Sequence, residues 1–498
     1  MNVNPITRLD YPDLDVIRVE DTYYMVSTTM HFMPGCEILQ SFDLVHWEHA
    51  TYVYETLDHT DAQQLKSGQN IYGQGMWAAS LRYHEGRFYI CFVANDTRKT
   101  YLYTSEKIDG PWKKQLIEGF YHDGSLLFDE DGRNYIVYGN DEIWITELNE
   151  DLTAPKKDGL HRLLVSDHKN PELGYEGSHI QKINGYYYIF LIHSLRDRWM
   201  RTEACFYSDS LEGEFTGGDV LCDDRGYCGQ GVAQGGIVDT PDGKWYAMLF
   251  QDSGAVGRIP ILVPVTWKDH FPVFGQNGHV PEEIEVHSTR PGYIYQPLVG
   301  SDDFCNGLLP RWQFNHDPDP RYYHLDALQG TYTITTREVC TELTQAVNTL
   351  TQRMSYPSCA AEVTVDASAL KEGDVAGLCA LQGCYAAVGI TKHHGKYEVL
   401  MLDKKEDGIL DMTEGTVVES HQMDFRLEAD FCNMKDEARC YYRVNKGDWL
   451  PIGTVHKLYF KLDHFTGCRF GLFCYAAEET GGSACFRDFK YYDVDEIS

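Results

Sequence analysis

Three acidic residues stand at comparable points of one recurring pattern. Asp123 in HDGSLLFDEDG lies twelve residues before Tyr135, and Glu176 in YEGSHIQKING lies twelve before Tyr188. Asp13, in DYPDLDVIRVEDTYY, lies eleven before Tyr24, across a VED turn that reads one residue shorter than its counterparts. Its neighbours Asp10 and Asp15 fall out of this register and read as residues that hold the turn or cap the strand. The same offset of twelve is filled by Trp77 before Tyr89 and by Gln234 before Tyr246. Singly, each acid is an ordinary turn residue. Brought to one pocket, carboxylates shift one another's pKa values, so that one stays protonated while another is ionised at the same pH. A tryptophan face beside them suits the apolar face of a sugar ring. Such a set can hydrolyse a glycosidic bond by acid and base catalysis.

The elements that must position these residues follow from the repeat itself. EDTYYMV, EGRFYIC, DGRNYIV, NGYYYIF and DGKWYAM each place a tight turn before aromatic residues and an apolar strand. The fixed tyrosines, Tyr24, Tyr89, Tyr135, Tyr188 and Tyr246, are separated by 46 to 65 residues, enough for one four-stranded blade each. Five such blades, none able to bury both faces alone, predict a five-bladed β-propeller whose innermost strands line a central channel. The acids and Trp77 then ring the mouth of that channel.

Composition limits the partners. The 498 residues hold 43 Lys and Arg against 75 Asp and Glu, a formal charge of −32 that repels phosphate backbones and anionic lipid alike. No nucleic-acid or membrane partner is expected. MNVNPITRLD has neither a basic n-region nor an apolar h-region, and no apolar stretch reaches membrane-spanning length, so a cytoplasmic location is expected. Fifteen cysteines without CxxC or zinc spacing read as reduced, mostly buried thiols. His31, His122 and His179 flank the motifs without HExxH or facial-triad spacing and read as packing or hydrogen-bonding residues. YGQGMW and GQGVAQGG match no phosphate-cradling fingerprint.

The ordered segments DYPDLDVIRVEDTYYMVSTTMHFMPG, ILQSFDLVHWE, MWAASLRYHEGRFYICF, HDGSLLFDEDG, YEGSHIQKINGYYYIF and GGIVDTPDGKWYAMLF resemble glycoside hydrolase family 43, over nearly the full chain. The resemblance implies an inverting β-xylosidase, α-L-arabinofuranosidase or related arabinan-cleaving hydrolase on a five-bladed propeller. It implies Asp13 as general base, Glu176 as general acid and Asp123 as the acid that tunes and orients Glu176. Phe32, Trp77 and Arg258 match sugar-contacting positions, and Gln234 is grouped with them as substrate-binding. The chain departs from the family at Leu14 and Gly124, where relatives often have proline, which suggests a looser entry into both strands. Relatives also often carry histidine at Ala233 or Gln234, a residue that in some of them helps hold a central calcium ion. A structural calcium is therefore left open, and the chemistry itself requires no cofactor.

Beyond the Pro- and Gly-punctuated STRPGYIYQPLVGSDDF, alternating runs such as GTYTITT, CAAEVTVD, KYEVLML and RFGLFCYA predict a β-sandwich. The chain thus divides into a catalytic propeller over 1–295 and an accessory sandwich over 301–498, all-β throughout. The second domain resembles the lectin-like, concanavalin-type jelly roll that accompanies many family 43 propellers. A scaffold that closes part of the pocket with one loop is favoured over an independent sugar-binding module. The expected partner is a xylo- or arabino-oligosaccharide, cleaved from its end. The alternatives are a non-catalytic sugar-binding propeller and an endo-acting arabinanase. Neither the preferred sugar nor the oligomeric state is set by the sequence.

Overall fold

A computed structural model describes residues 2–413 and 415–494. The first half is five antiparallel sheets in chain order, four of them four-stranded and the fifth with its inner strand split into two. Their first and last strands are Asp15–Val19 and Glu48–Tyr54, Met76–His84 and Lys113–Ile117, Ser125–Phe128 and His161–Ser166, Glu176–Ile183 and Thr216–Leu221, then Val232–Ala233 with Ile237–Asp239 and Phe271–Phe274. First strands of neighbouring sheets touch around the ring, and Gln181 Nε2 donates to the Ile237 carbonyl at 2.8 Å between the fourth and fifth. The sheets are therefore blades around a channel. Strand Asn2–Val3 pairs with Glu283–Ile284, which ties the chain start to the end of the last blade.

The core lies in five wedges between blades, and strand alternation assigns its residues. In the second strand of the third blade, Tyr135 and Val137 pack towards the fourth blade, whereas Ile136 packs towards the second. The fixed tyrosines follow one rule. Tyr24, Tyr89, Tyr135, Tyr188 and Tyr246 each sit in the wedge shared with the next blade, Tyr246 closing the ring against the first. A large aromatic fills a gap that widens with distance from the axis, which explains why the repeat holds this position.

The second half is two packed sheets. One has seven strands and includes Ser358–Asp366 and Ser483–Asp493, and the other includes Val375–Leu381, Arg469–Tyr475 and Gln313–Asn315. Phe425, Leu427, Leu378 and Phe470 lie among the buried residues between them. The second sheet does not end within the sandwich. Its edge strand Gln313–Asn315 pairs with Phe32–Met33, an excursion from the first blade, in the register Phe314 to Met33 and Asn315 to Phe32. Covering an open edge with a strand of the other domain satisfies its backbone and fixes the sandwich over the propeller. No helix among the described residues is long and apolar enough to cross a membrane.

Candidate active site

Strand pairing sets the register of the acids. Continued outward, it puts Asp13 opposite Thr28, Asp123 opposite Gly139 and Glu176 opposite Ile192, each the fourth residue after its blade's fixed tyrosine. Trp77 falls opposite Val93 by the same measure. These four residues are level at one mouth of the channel. The reason for their unequal spacing differs from the sequence expectation. The first hairpin turn has two residues, as in the second and fourth blades, while the third and fifth have five. The second and fourth blades gain their extra residue from bulges at Met76/Ala79 and Glu176/His179 instead. The fifth blade has both a long turn and a shift, so its level residue is Ala233, opposite Phe250, and Gln234 lies one further on.

Asp13 and Asp123 adopt left-handed backbone, with φ of 54° and 48°. Aspartate tolerates this better than most residues, at a cost of about 1–2 kcal/mol each. Their carboxylates are held by bonds that offset it. Asp13 Oδ1 accepts from Arg258 Nη1 at 2.8 Å and Oδ2 accepts from Thr28 Oγ1 at 2.7 Å. Asp123 Oδ2 accepts the Gly177 N–H at 2.9 Å, fixing the backbone beside Glu176. Glu176 Oε2 in turn accepts from Asn140 Nδ2 at 2.7 Å. Gly124 is packed rather than loose: a Cβ there would stand 2.9 Å from Ile136 Cδ1 and 3.0 Å from the Tyr121 carbonyl oxygen.

His122 joins the acids. Its Nε2 lies 3.5 Å from Glu176 Oε2 and 3.6 Å from Asp123 Oδ2. Burial drives the Asp123 carboxyl upward, and the negative charges of Glu176 and Asp13 add to this; against the opposing imidazole it rises to about 6. Burial disfavours a charged His122, but Asp123, Glu176 and Asp13 outweigh it and push the imidazole up to about 9. Sequence reading gave His122 only a packing or hydrogen-bonding place. Its adjacency to Asp123 was the one signal for more.

Beside Glu176 opens a cavity of about 520 Å³, lined by Trp77, His122, Glu176 and Trp199 from the propeller and by Phe460, Leu462 and Phe465 from the sandwich. Phe465 lies 5.6 Å from the Trp77 ring and 4.6 Å below the Arg258 guanidinium. The second domain therefore supplies a wall of the pocket. Arg258 Nε and Nη2 are buried without an acceptor among the described residues, leaving donors to spare beside Asp13. Two substrate-binding candidates are placed elsewhere. Phe32 is fully buried in the domain junction with the Arg469 guanidinium 3.5 Å over its ring. Gln234 is buried beside Gly177, its N–H donating to Glu203 Oε2 at 2.7 Å.

The other two opening acids are not simple turn residues. Asp15 points into the channel, where Oδ2 accepts from Arg82 Nη1 and the Leu81 N–H, both at 2.7 Å, and Oδ1 meets His179 Nδ1 at 3.1 Å. Arg82 also bonds Ser125 Oγ and the Ile180 carbonyl, linking four blades through one guanidinium. The Arg82 guanidinium thus brings a positive charge to the channel, and Ala233 and Gln234 carry no imidazole. Asp10 spans the domains, accepting the Arg258 N–H at 2.7 Å and the Gly467 N–H at 2.8 Å. Among the described residues, His122, Asp123 and Glu176 form the one group of at least three His, Cys, Asp or Glu whose ligand atoms all lie within 4.8 Å of one another. Asp123 Oδ2 and Glu176 Oε2 also accept N–H bonds from Gly177 and Asn140.

Comparison with known proteins agrees with this geometry. Residues 3–272 match the glycosyl hydrolases family 43, and residues 301–492 match the beta xylosidase C-terminal concanavalin A-like domain. A beta-xylosidase of Formosa agariphila is 26% identical over 99% of this chain and 89% of its own length. The solved structure of a bifunctional GH43-CE protein of Bacteroides eggerthii superposes with a TM-score of 0.92 at 42% identity, over the whole of this chain and 64% of that one. This chain thus spans less than two thirds of that bifunctional protein. A family 43 enzyme engineered to display both endo-xylanase and exo-arabinofuranosidase activity superposes at 0.86, with 28% identity over 99% of this chain and 100% of that one. With the family match covering more than half of the chain and its acids gathered at the propeller mouth, the protein belongs to glycoside hydrolase family 43.

Proposed function

We propose that this glycoside hydrolase acts from chain ends, releasing xylose or arabinofuranose from xylan-derived oligosaccharides with inversion at the anomeric carbon. The observation that carries this is the cavity: Glu176 and His122 line it, and the sandwich segment around Phe460 and Phe465 walls one side, which argues against a cleft open at both ends. Its volume is that of a small-molecule site rather than a polymer groove. The beta-xylosidase and exo-arabinofuranosidase names of the relatives support the same sugars.

In the proposed cycle Asp13, paired with Arg258, takes a proton from a water below the ring, while Glu176 protonates the leaving oxygen. Asp123 fixes the Gly177 N–H and so the approach of Glu176. No metal takes part. Dialysis against EDTA is expected to leave the rate unchanged, and a loss restored by calcium would overturn that point. The fifteen free thiols, most of them buried, support a reducing, cytoplasmic location. Nitrophenyl xyloside, nitrophenyl arabinofuranoside and linear arabinan, assayed in parallel with proton NMR of the first-formed sugar, test the reading. Turnover of an aryl glycoside with inverted product is expected. Retained configuration, or cleavage of linear arabinan alone, would refute it.

A further inference from the structure

We propose that His122 holds the proton that recharges Glu176, passing it from Nε2 to Oε2 as Glu176 gives its own to the leaving oxygen. This rests on the assignment of Glu176 as the general acid. The proton balance is simple. One proton leaves His122 for Glu176, one leaves Glu176 for the departing alcohol, and the proton that Asp13 takes from water returns to His122 through solvent at the open side of the cavity.

Placement carries the inference. His122 lines the cavity and reaches both Glu176 Oε2 and Asp123 Oδ2 within 3.6 Å. The groups facing it come from four blades. Asp13 comes from the first, the Trp77 ring at 5.9 Å from the second, Asp123 from its own and Glu176 from the fourth. The other cations around the cavity are already committed, Arg201 to Asp252 at 2.6 Å and Lys461 to Glu406. Asn140 donates to the same Glu176 oxygen, so that oxygen rests as an acceptor. Once its own proton has gone to the leaving oxygen, Glu176 needs a neighbouring donor, and His122 is the titratable donor in reach, pushed up to about 9 by the surrounding acids.

The alkaline limb of kcat/KM then belongs to the His122–Glu176 pair rather than to a lone carboxyl group. In His122→Gln this limb should fall by at least one pH unit. The loss should be at least tenfold larger for a glycoside with a poor, alkoxide-like leaving group than for a dinitrophenyl glycoside, which departs with little protonation. A purely structural imidazole would lower both substrates equally and leave the limb in place; a purely electrostatic one would let the limb rise. Either result overturns the proposal. A second measurement does not depend on turnover. With labelled histidine, NMR titration of Glu176→Gln should show the His122 value falling by at least one unit from that of the parent protein. If this fall is seen but no glycoside is hydrolysed, the proton sharing stands and the glycosidase assignment fails. If glycosides are hydrolysed but His122 titrates in the ordinary range and the limb stays, the proposal fails alone.

Discussion

Asp13 and Asp123 share a backbone conformation and a level in the ring, yet their surroundings differ. Asp13 faces an arginine and a hydroxyl, whereas Asp123 is fully buried beside two other carboxylates. Asp13→Asn keeps the shape and loses the base, so hydrolysis should drop by a factor of about 10² to 10⁴ with little change in the melting temperature. Asp123→Asn should do something different. Because its folded pKa lies above the unfolded value, its favourable contribution is complete below about pH 4 and is lost as pH rises through 6. At pH 7 the ionised group therefore costs the fold on the order of 1–3 kcal/mol. The asparagine variant should be slower but more stable at pH 7, and calorimetry at pH 4 and 7 checks this. Equal effects at both values would mean that the carboxylate is relieved by some other contact.

At the scale of elements, the inner strands are held by charge as well as by backbone pairing. Asp15 and Arg82 form a buried ion pair, only 1% of the Asp15 side chain being exposed, and between them they touch strands of the first, second, third and fourth blades. Breaking one partner of such a pair strands the other in a low dielectric, at a cost of about 3–5 kcal/mol. Asp15→Asn and Arg82→Gln should each lose about that much in urea unfolding, far more than a cap residue would. A loss below 1 kcal/mol in both would return Asp15 to the role of a turn residue.

The whole molecule is joined through a neutral histidine cluster. His31 of the first blade, His316 of the sandwich and His464 beside Phe465 are fully buried around Tyr72, the His31 ring lying 4.8 Å from that of His316 and 5.0 Å from that of His464. Burial, with neighbouring positive charge, holds His31 and His316 far below their usual range and brings His464 down to about 3. Groups whose folded pKa is depressed stabilise the fold above the unfolded value and lose that contribution as pH falls below it. Each of the three should cost about 2 kcal/mol at pH 5, a total comparable with the stability of a whole domain. The melting temperature is expected to fall steeply from pH 6.5 to 5, and less steeply in His464→Gln. A flat profile over that interval would show that the cluster opens to water. Since His464 adjoins Phe465, activity should be lost over the same interval.

The propeller, the sandwich and the three acids were legible in the sequence because each rests on short-range order. A turn followed by a tyrosine recurs once per blade, strand alternation sorts the faces, and a residue at a fixed step from the turn must reach the channel mouth. The same counting misplaced Gln234, since a bulge and a longer turn add residues that look alike in a string of letters and differ only in hydrogen bonding. It also read Asp10 and Asp15 as local turn residues, because their partners, Gly467 and Arg82, lie 457 and 67 positions away. His122, Asn140 and the phenylalanines of the sandwich wall came to light only with the fold. Their neighbours come from other blades or the other domain, and no local pattern encodes which surfaces a closed ring and an edge-sharing sheet will bring together.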